Sequence, residues 1–414
     1  MKIDLKIIEQ AAKRLQNVAQ KTPLQYCKRL SDFYQAQIYF KREDLQEVRS
    51  FKIRGAYNKI ASLSLEEKKK GVVCASAGNH AQGVAYSCST LNIKATIFMP
   101  LVTPNQKIEK VKKFGNGYVE IKLIGNTFDD ANLAAQKFCQ EQKAVYVHPF
   151  EDPYIIAGQG TVAKEIYEDL AGKVAMVVVP IGGGGLMAGI ASYLKIKDPK
   201  ITMIGVEANG AAGMQKSISK GRVFSLDKID SFVEGTAVRT VGNLTLKICQ
   251  DKIDEVVVIP EGQVCTTMIE LYQNEGIIAE PAGALSISAL QNIAPKIKGK
   301  TVVCILSGGN NDILRYPEIM ERSLVYQGRK HYIIIEFAQK PGQLRNFVDK
   351  ALGPTDDIVR FEYIKKTNKE KGPALVGIEL KDKKDWQPFM ARMSKIGLKY
   401  RVIDSNDLLY NYLV

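Results

Sequence analysis

The chain has 414 residues, 45% of them hydrophobic, enough to bury a large core spread over two or three domains. Its formal charge of +14 does not by itself make a nucleic-acid binder, because lysines are interleaved with acids, as in S-L-E-E-K-K-K from Ser64 to Lys70. Seven scattered cysteines without a C-x-x-C pair exclude a disulfide framework and a zinc motif, and three widely separated histidines argue against a histidine-rich metal site.

In chain order, the opening M-K-I-D-L-K-I-I-E-Q lacks the apolar centre of a signal peptide, and no later run is apolar for long enough to span a membrane. A cytoplasmic protein with neither membrane nor nucleic-acid partner is expected. Q-I-Y-F-K then reads as a strand and R-E-D-L-Q-E-V-R as a loop, before S-F-K-I-R-G-A (Ser50 to Ala56) opens a helical pattern. Lys52 stands there between Phe51 and Ile53, where an apolar surface would desolvate its amine, lower its pKa and make it nucleophilic. The plain alternative is one surface lysine among many.

Gly71 to Ala75 (G-V-V-C-A) and Ala95 to Met99 (A-T-I-F-M) follow as short apolar strands, and Val174 to Val179, Ile201 to Val206 and Thr301 to Leu306 repeat the pattern. Such runs, separated by helices as far as about residue 325, imply an α/β fold with a mainly parallel sheet covered on both faces. Ligands gather at the carboxyl ends of strands in sheets of this kind. Three ends carry polar or glycine-rich loops: S-A-G-N-H-A-Q-G (Ser76 to Gly83), Ile181 to Gly185, and S-G-G-N-N-D (Ser307 to Asp312).

The middle loop lies in V-V-V-P-I-G-G-G-G-L-M-A-G-I-A, from Val177 to Ala191. So much bare backbone ahead of a helix suits a phosphate, since successive N–H groups converge without a Cβ in the way. No Gly-Lys-Ser/Thr follows, which removes a P-loop nucleotide site. A dinucleotide fingerprint fits, with Gly183-x-Gly185-x-x-Ala188 and Glu207 at the end of I-T-M-I-G-V-E. A phosphorylated cofactor held covalently by a lysine elsewhere fits as well, as does a glycine turn that binds nothing.

After Arg329 the pattern changes to strand (H-Y-I-I-I-E-F), helix (P-G-Q-L-R-N-F-V-D-K-A-L), strand, strand (A-L-V-G-I-E-L), helix (D-W-Q-P-F-M-A-R-M-S-K-I) and strand. This β-α-β-β-α-β order predicts a ferredoxin-like α+β module. It holds no evident constellation of acid, base and nucleophile.

S-F-K-I-R-G-A, S-A-G-N-H-A-Q-G, A-G-Q-G-T (Ala157 to Thr161), G-G-G-G-L, E-G-T-A-V (Glu234 to Val238), E-P-A-G-A (Glu280 to Ala284) and S-G-G-N, in this order, closely resemble the threonine dehydratases. These are pyridoxal-phosphate enzymes of the tryptophan-synthase-β fold type, fold type II, with two parallel-sheet lobes. The resemblance covers nearly the whole chain. It implies a catalytic domain over 1–325, with its smaller lobe at roughly 45–150, and a regulatory domain over 326–414.

The resemblance also assigns roles by position. Lys52 resembles the family's lysine that holds the cofactor aldehyde, is displaced by the substrate amine and then takes the Cα proton. Gly182, Gly183, Gly184, Gly185 and Leu186 match the phosphate cradle, with Phe51 and Gly235 beside the cofactor. Asn79 matches the side chain that hydrogen-bonds the ring 3-hydroxyl. Ser307 matches the residue facing the ring nitrogen, where a hydroxyl makes a weaker electron sink than an aspartate and favours prompt β-elimination over transamination. Glu280 borders the ring edge in this reading, although an acid before Pro281 equally begins a helix. Ser76, Gly78, Asn79 and His80 resemble the clamp for the substrate carboxylate, and His80 equally suits capping or packing.

Ala77 departs from the related serine racemases, which carry a second serine at this position as acid or base on the opposite face, so racemisation is expected to be poor. The reaction implied is L-threonine to 2-oxobutanoate and ammonia, with L-serine discriminated only modestly. The last segment resembles the ACT-like regulatory domain of biosynthetic threonine dehydratases through P-G-Q-L, F-E-Y-I-K-K and G-P-A-L-V-G-I-E-L. A single copy fits, where some relatives carry two. L-isoleucine is the effector implied, opposed by valine in some relatives, and a homodimer or homotetramer is expected. The other readings are a catabolic serine/threonine dehydratase and an amino-acid sensor with an inert catalytic half.

Overall fold

The structure, a computed structural model, describes residues 3–364, 369–404 and 407–414. Lys365 and Lys366 of the F-E-Y-I-K-K run lie outside these, as do Met1 and Lys2. Contacts divide the chain into two compact units, residues 1–261 with 271–311, and residues 262–270 with 312–414.

The first unit holds two sheets. Strands β1 (Leu24–Tyr26) and β2 (Gln37–Arg42) precede the helix Lys52–Ala61. Next come β3 (Val72–Ala75), β4 (Ala95–Met99), β5 (Val119–Leu123) and β6 (Val145–Tyr146), then β7 (Met176–Pro180), β8 (Thr202–Ala208), β9 (Glu255–Ile259) and β10 (Thr301–Leu306). The smaller sheet, in the order β5-β4-β3-β6, is parallel throughout. The larger runs β1-β2-β10-β7-β8-β9 and is parallel except for the antiparallel β1–β2 pair. Every residue of β3 and β7 is buried, as expected of apolar runs with helices on both faces. The strand expected over Val174 to Val179 is displaced to Met176–Pro180, because periodicity marks a buried run better than its ends.

Two cores follow from the two sheets. The smaller collects Val72, Cys74, Val84 and Ile97, and the larger collects Val177, Val179, Met187, Ile190 and Val303. None of the seven cysteines forms a disulfide. Among the described residues no helix is long and apolar enough to cross a membrane, and no cluster of His, Cys, Asp and Glu is fit to hold a metal ion.

In the second unit, β11 (Lys330–Ala338), β12 (Asp357–Tyr363), β13 (Lys371–Glu379) and β14 (Lys399–Ile403) form an antiparallel sheet in the order β12-β13-β11-β14. Helices Gln343–Ala351 and Trp386–Lys395 complete the β-α-β-β-α-β order. Alternation in β11 sends Ile333, Ile335 and Phe337 into a core shared with Phe347, Val376 and Phe389. The longer stretch of this unit begins at Asp312, ahead of the change in sequence pattern after Arg329, because the helix Tyr316–Tyr326 packs against β11.

Candidate active site

A single cavity gathers the carboxyl ends of β7 and β10 and the starts of the helices Lys52–Ala61 and Asn79–Leu91. Phe51, Lys52, Asn79, Gly182, Gly183, Gly184, Gly185, Leu186, Gly235, Glu280 and Ser307 all line it. So do Gln159, Thr236 and Ala282, which stand in quoted motifs without an assigned role, and Pro149 and Phe150, for which the sequence offered no motif. Of the loop Ser76 to His80, only Asn79 reaches the lining.

Lys52 is placed by main-chain bonds that tie its loop to the end of β10. Phe51 N–H donates to Ser307 O at 3.1 Å, and Gly309 N–H donates to Arg49 O at 2.9 Å. The Lys52 Nζ donates to Pro149 O at 3.0 Å. The residue keeps partial exposure because it faces the cavity, yet the protein packed around its amine desolvates the charge. Desolvation pulls the amine down to about 8 against the opposing pull of Glu280.

Behind this amine the same helix is held by a buried lattice of ions. Arg54 binds Glu43 through two contacts of 2.8 Å and Glu165 through contacts of 2.6 and 2.9 Å. Lys41 reaches Glu165 at 2.6 Å and Thr22 O at 2.6 Å. The motif A-G-Q-G-T joins this support, since Thr161 Oγ1 accepts from Arg54 Nη1 at 3.1 Å and Gln159 Oε1 accepts from Gly55 N–H at 3.2 Å.

The glycine loop precedes the helix Gly185–Lys197. Gly184 has φ +92°, a left-handed conformation that side chains resist. At Gly183 a Cβ would lie 2.2 Å from the ring of Phe150, which also lines the cavity, so a bare backbone is needed there for the close approach of Phe150. The glycines let the loop tuck against its neighbours, and what remains turned outward is the main chain. Thr245 Oγ1 braces the loop by donating to Gly183 O at 2.6 Å. Among the described residues no acceptor takes the N–H groups of Gly183, Gly184, Gly185 and Leu186. Four free donors at the positive end of a helix fit a phosphate, so the loop passes the test for a phosphorylated cofactor.

The dinucleotide reading fails at Glu207. Its buried carboxylate accepts from Met214 N–H and Gln215 N–H, both at 2.8 Å, and so is spent on capping the helix Gly213–Lys220. The companion lysine demanded by a covalent cofactor is present, lining the same cavity as the glycine loop.

Asn79 Nδ2 donates to Glu280 Oε1 at 2.7 Å, and Asn310 Nδ2 donates to Asn79 Oδ1 at 2.8 Å. Burial pushes the Glu280 carboxyl up to about 7, with the Asn79 bond pulling the other way. Ser307 Oγ donates to Ala282 O at 3.2 Å, a long bond that a better acceptor can replace. His80 is buried, its Nε2 is 2.8 Å from Val147 O, and burial drives its pKa down to about 3, so the ring is neutral. Ser76 Oγ accepts from Gly78 N–H at 3.2 Å, and a Cβ on Gly78 would meet nothing within 4 Å, which leaves open space before the helix Asn79–Leu91. Ala77 packs against the smaller core.

Residues 15–308 match the family described as pyridoxal-phosphate dependent enzyme, and residues 321–413 match the C-terminal regulatory domain of threonine dehydratase. The chain is 50% identical over 413 residues to the biosynthetic L-threonine dehydratase of Halalkalibacterium halodurans, covering 100% of both chains. Against the Lactococcus lactis enzyme of the same name, identity is 52% over 415 residues, with 100% of both chains covered. Among solved structures, processed threonine deaminase isoform 2 of Solanum lycopersicum superposes with a TM-score of 0.73 at 39% identity, over 77% of this chain and 94% of that one. Maize serine racemase superposes with a TM-score of 0.72 at 29% identity, over 78% of this chain and 98% of that one.

Proposed function

The chain belongs to the pyridoxal-phosphate dependent enzymes and, within them, to the biosynthetic threonine dehydratases, and from that premise we propose how its own residues carry the reaction. It is a carbon–nitrogen lyase that converts L-threonine to 2-oxobutanoate and ammonia, the first step of isoleucine biosynthesis. Bound pyridoxal phosphate supplies the sink for the electron pair left when the Cα proton departs.

The free N–H groups of Gly183 to Leu186 would hold the cofactor phosphate, and the Lys52 amine would hold its aldehyde. Nζ of Lys52 then takes the Cα proton, a task suited to an amine whose pKa lies at about 8 and not at 10.5. Asn79 would donate to the ring 3-oxygen, and Ser307 would offer the ring nitrogen a hydroxyl in place of a carboxylate. Phe51, Gly235 and Glu280, which line the same cavity, would border the ring. The substrate carboxylate comes to the open start of the helix Asn79–Leu91, at Ser76, Gly78, Asn79 and His80. With alanine at position 77 no side chain there returns a proton to the opposite face, so elimination prevails over racemisation.

Residues 1–325 carry the chemistry in this reading and residues 326–414 the regulation, with L-isoleucine as effector and a homodimer or homotetramer in the cytoplasm as the working form. An effector acts by binding one conformation better than another, which a folded module without catalytic groups is suited to do. The observation that carries the catalytic reading is the desolvated amine of Lys52 in one cavity with the unpaired N–H groups of the glycine loop.

The test is the release of 2-oxobutanoate from L-threonine across an isoleucine titration, with Lys52→Ala as the blank. Ketoacid formation that isoleucine suppresses supports both halves. Turnover indifferent to isoleucine reassigns the C-terminal module to another ligand or to assembly, and turnover that survives in Lys52→Ala defeats the assignment of the lysine.

A further inference from the structure

Asn79 is useful to a cofactor ring only in one of its two amide orientations, and the structure contains a device that chooses between them. Asn310 Nδ2 lies 2.8 Å from Val48 O and 2.8 Å from Asn79 Oδ1, while Lys110 Nζ lies 3.4 Å from Asn310 Oδ1. A main-chain carbonyl can only accept and an ammonium can only donate. Val48 and Lys110 therefore both require Asn310 to turn its NH₂ inward and its oxygen toward the lysine.

With that orientation fixed, the atom of Asn79 facing Asn310 must be an acceptor, its Oδ1. The Asn79 NH₂ is thereby directed to the other side, where Glu280 Oε1 accepts one hydrogen at 2.7 Å. A second N–H remains on a residue that lines the cavity. Glu280 alone would not enforce this choice, because a carboxyl can donate when protonated and accept when ionised.

We propose that Asn310 is a positioning residue that fixes the Asn79 amide through Val48 O and Lys110, so that Asn79 meets the cofactor ring as a hydrogen-bond donor. It joins the segment leading into Lys52, the Asn79 loop and the loop after β10 that carries Ser307. The proposal rests on the reading of Asn79 as the partner of the ring 3-oxygen. Asn310→Ala releases the amide of Asn79. Asn310→Asp keeps the side-chain shape but puts an acceptor oxygen in place of the Nδ2 that meets both Val48 O and Asn79 Oδ1, which favours the reversed amide.

The experiment measures the affinity of cofactor-free protein for pyridoxal phosphate and the visible absorption band of the loaded protein in both variants, in Asn79→Ala and in Asn79→Ala/Asn310→Ala. Asn310→Ala is expected to weaken cofactor binding about tenfold and to move the band, and Asn310→Asp to do both to a greater extent. In the Asn79→Ala background, removing Asn310 should change neither quantity, since its effect passes through Asn79. An equal loss in that background, or unchanged affinity and band in the single variants, overturns the proposal. The isosteric aspartate variant keeps the test open if the alanine variant folds poorly. An Asn79→Ala protein with unaltered affinity and band instead overturns the reading of Asn79, a result separable from failure at Asn310.

Discussion

Lys52 and Arg54 stand two residues apart on one helix, both enclosed by protein, and their environments push them in opposite directions. Arg54, with 1% of its side chain exposed, meets Glu43 and Glu165 in bidentate pairs, and those carboxylates hold its charge above the usual arginine range. Lys52 has a main-chain carbonyl within reach but no carboxylate bonded to it, and it falls to about 8. Burial is common to both. What makes one residue a structural cation and the other a reactive amine is the presence or absence of a paired anion.

The contrast is sharpest when each residue is removed. Lys52→Ala should lower 2-oxobutanoate formation at least about a thousandfold, since it takes away both the covalent anchor and the base. Its cofactor-free form should unfold no more easily than the parent. Arg54→Ala should do the reverse in stability, losing roughly 3–5 kcal/mol because Glu43 is left buried beside an empty site. Denaturant unfolding of both cofactor-free variants, set beside their turnover, checks the pair. Equal destabilisation by the two substitutions would remove the distinction between them.

A second effect follows from the lowered amine. With a pKa of about 8, roughly a tenth of Lys52 is neutral at pH 7. An unshifted lysine would be neutral in only a few parts in ten thousand. The rate at which cofactor-free protein attaches pyridoxal phosphate should therefore rise about tenfold per pH unit and level off near pH 8, as stopped-flow absorbance would show. The sign for stability is worked from the same shift. The unfolded chain holds the proton up to 10.5 and the folded one only to about 8, so the cofactor-free protein gains stability from Lys52 as pH rises between those values. That gain should be missing in Lys52→Ala.

This contrast also divides what the sequence discloses from what it conceals. The strand runs, the glycine loop and the β-α-β-β-α-β pattern are legible because each is a local period or a local run, and Lys52 is legible because its motif surrounds it. The ion lattice is not, since Glu43, Arg54 and Glu165 are brought together across separations of up to 111 residues and leave no spacing to read. Thr245 and Phe150 escape notice for the same reason, each acting on the glycine loop from a distant segment. Glu207 misleads because a helix-capping acid and a ribose-binding acid occupy the same place at the end of a strand. The end of the first unit at Asn311 was equally hidden, because the residues from Asp312 to Arg329 carry a helix whose partner is a strand of the second unit.

The smallest expected effect tests whether the amine of Lys52 is free of every anion or only of a bonded one. Glu280 is the carboxylate whose field raises the Lys52 pKa, and burial holds its own pKa up to about 7. Below pH 7 it is mostly neutral and contributes little. Above pH 7 it ionises and helps Lys52 keep its proton through the range where the amine would otherwise release it. Glu280→Gln retains a hydrogen-bond acceptor for Asn79 but removes this field, so the midpoint of cofactor attachment should move to lower pH. The displacement should be small beside the fall from 10.5 to about 8 that desolvation produces. A midpoint that stays in place would show that Glu280 is neutral across the whole range, and one that rises would show that the glutamate had been lowering the amine. The first outcome would leave Lys52 free of every anion and complete the contrast with Arg54; the second would move the origin of that contrast to the surrounding packing.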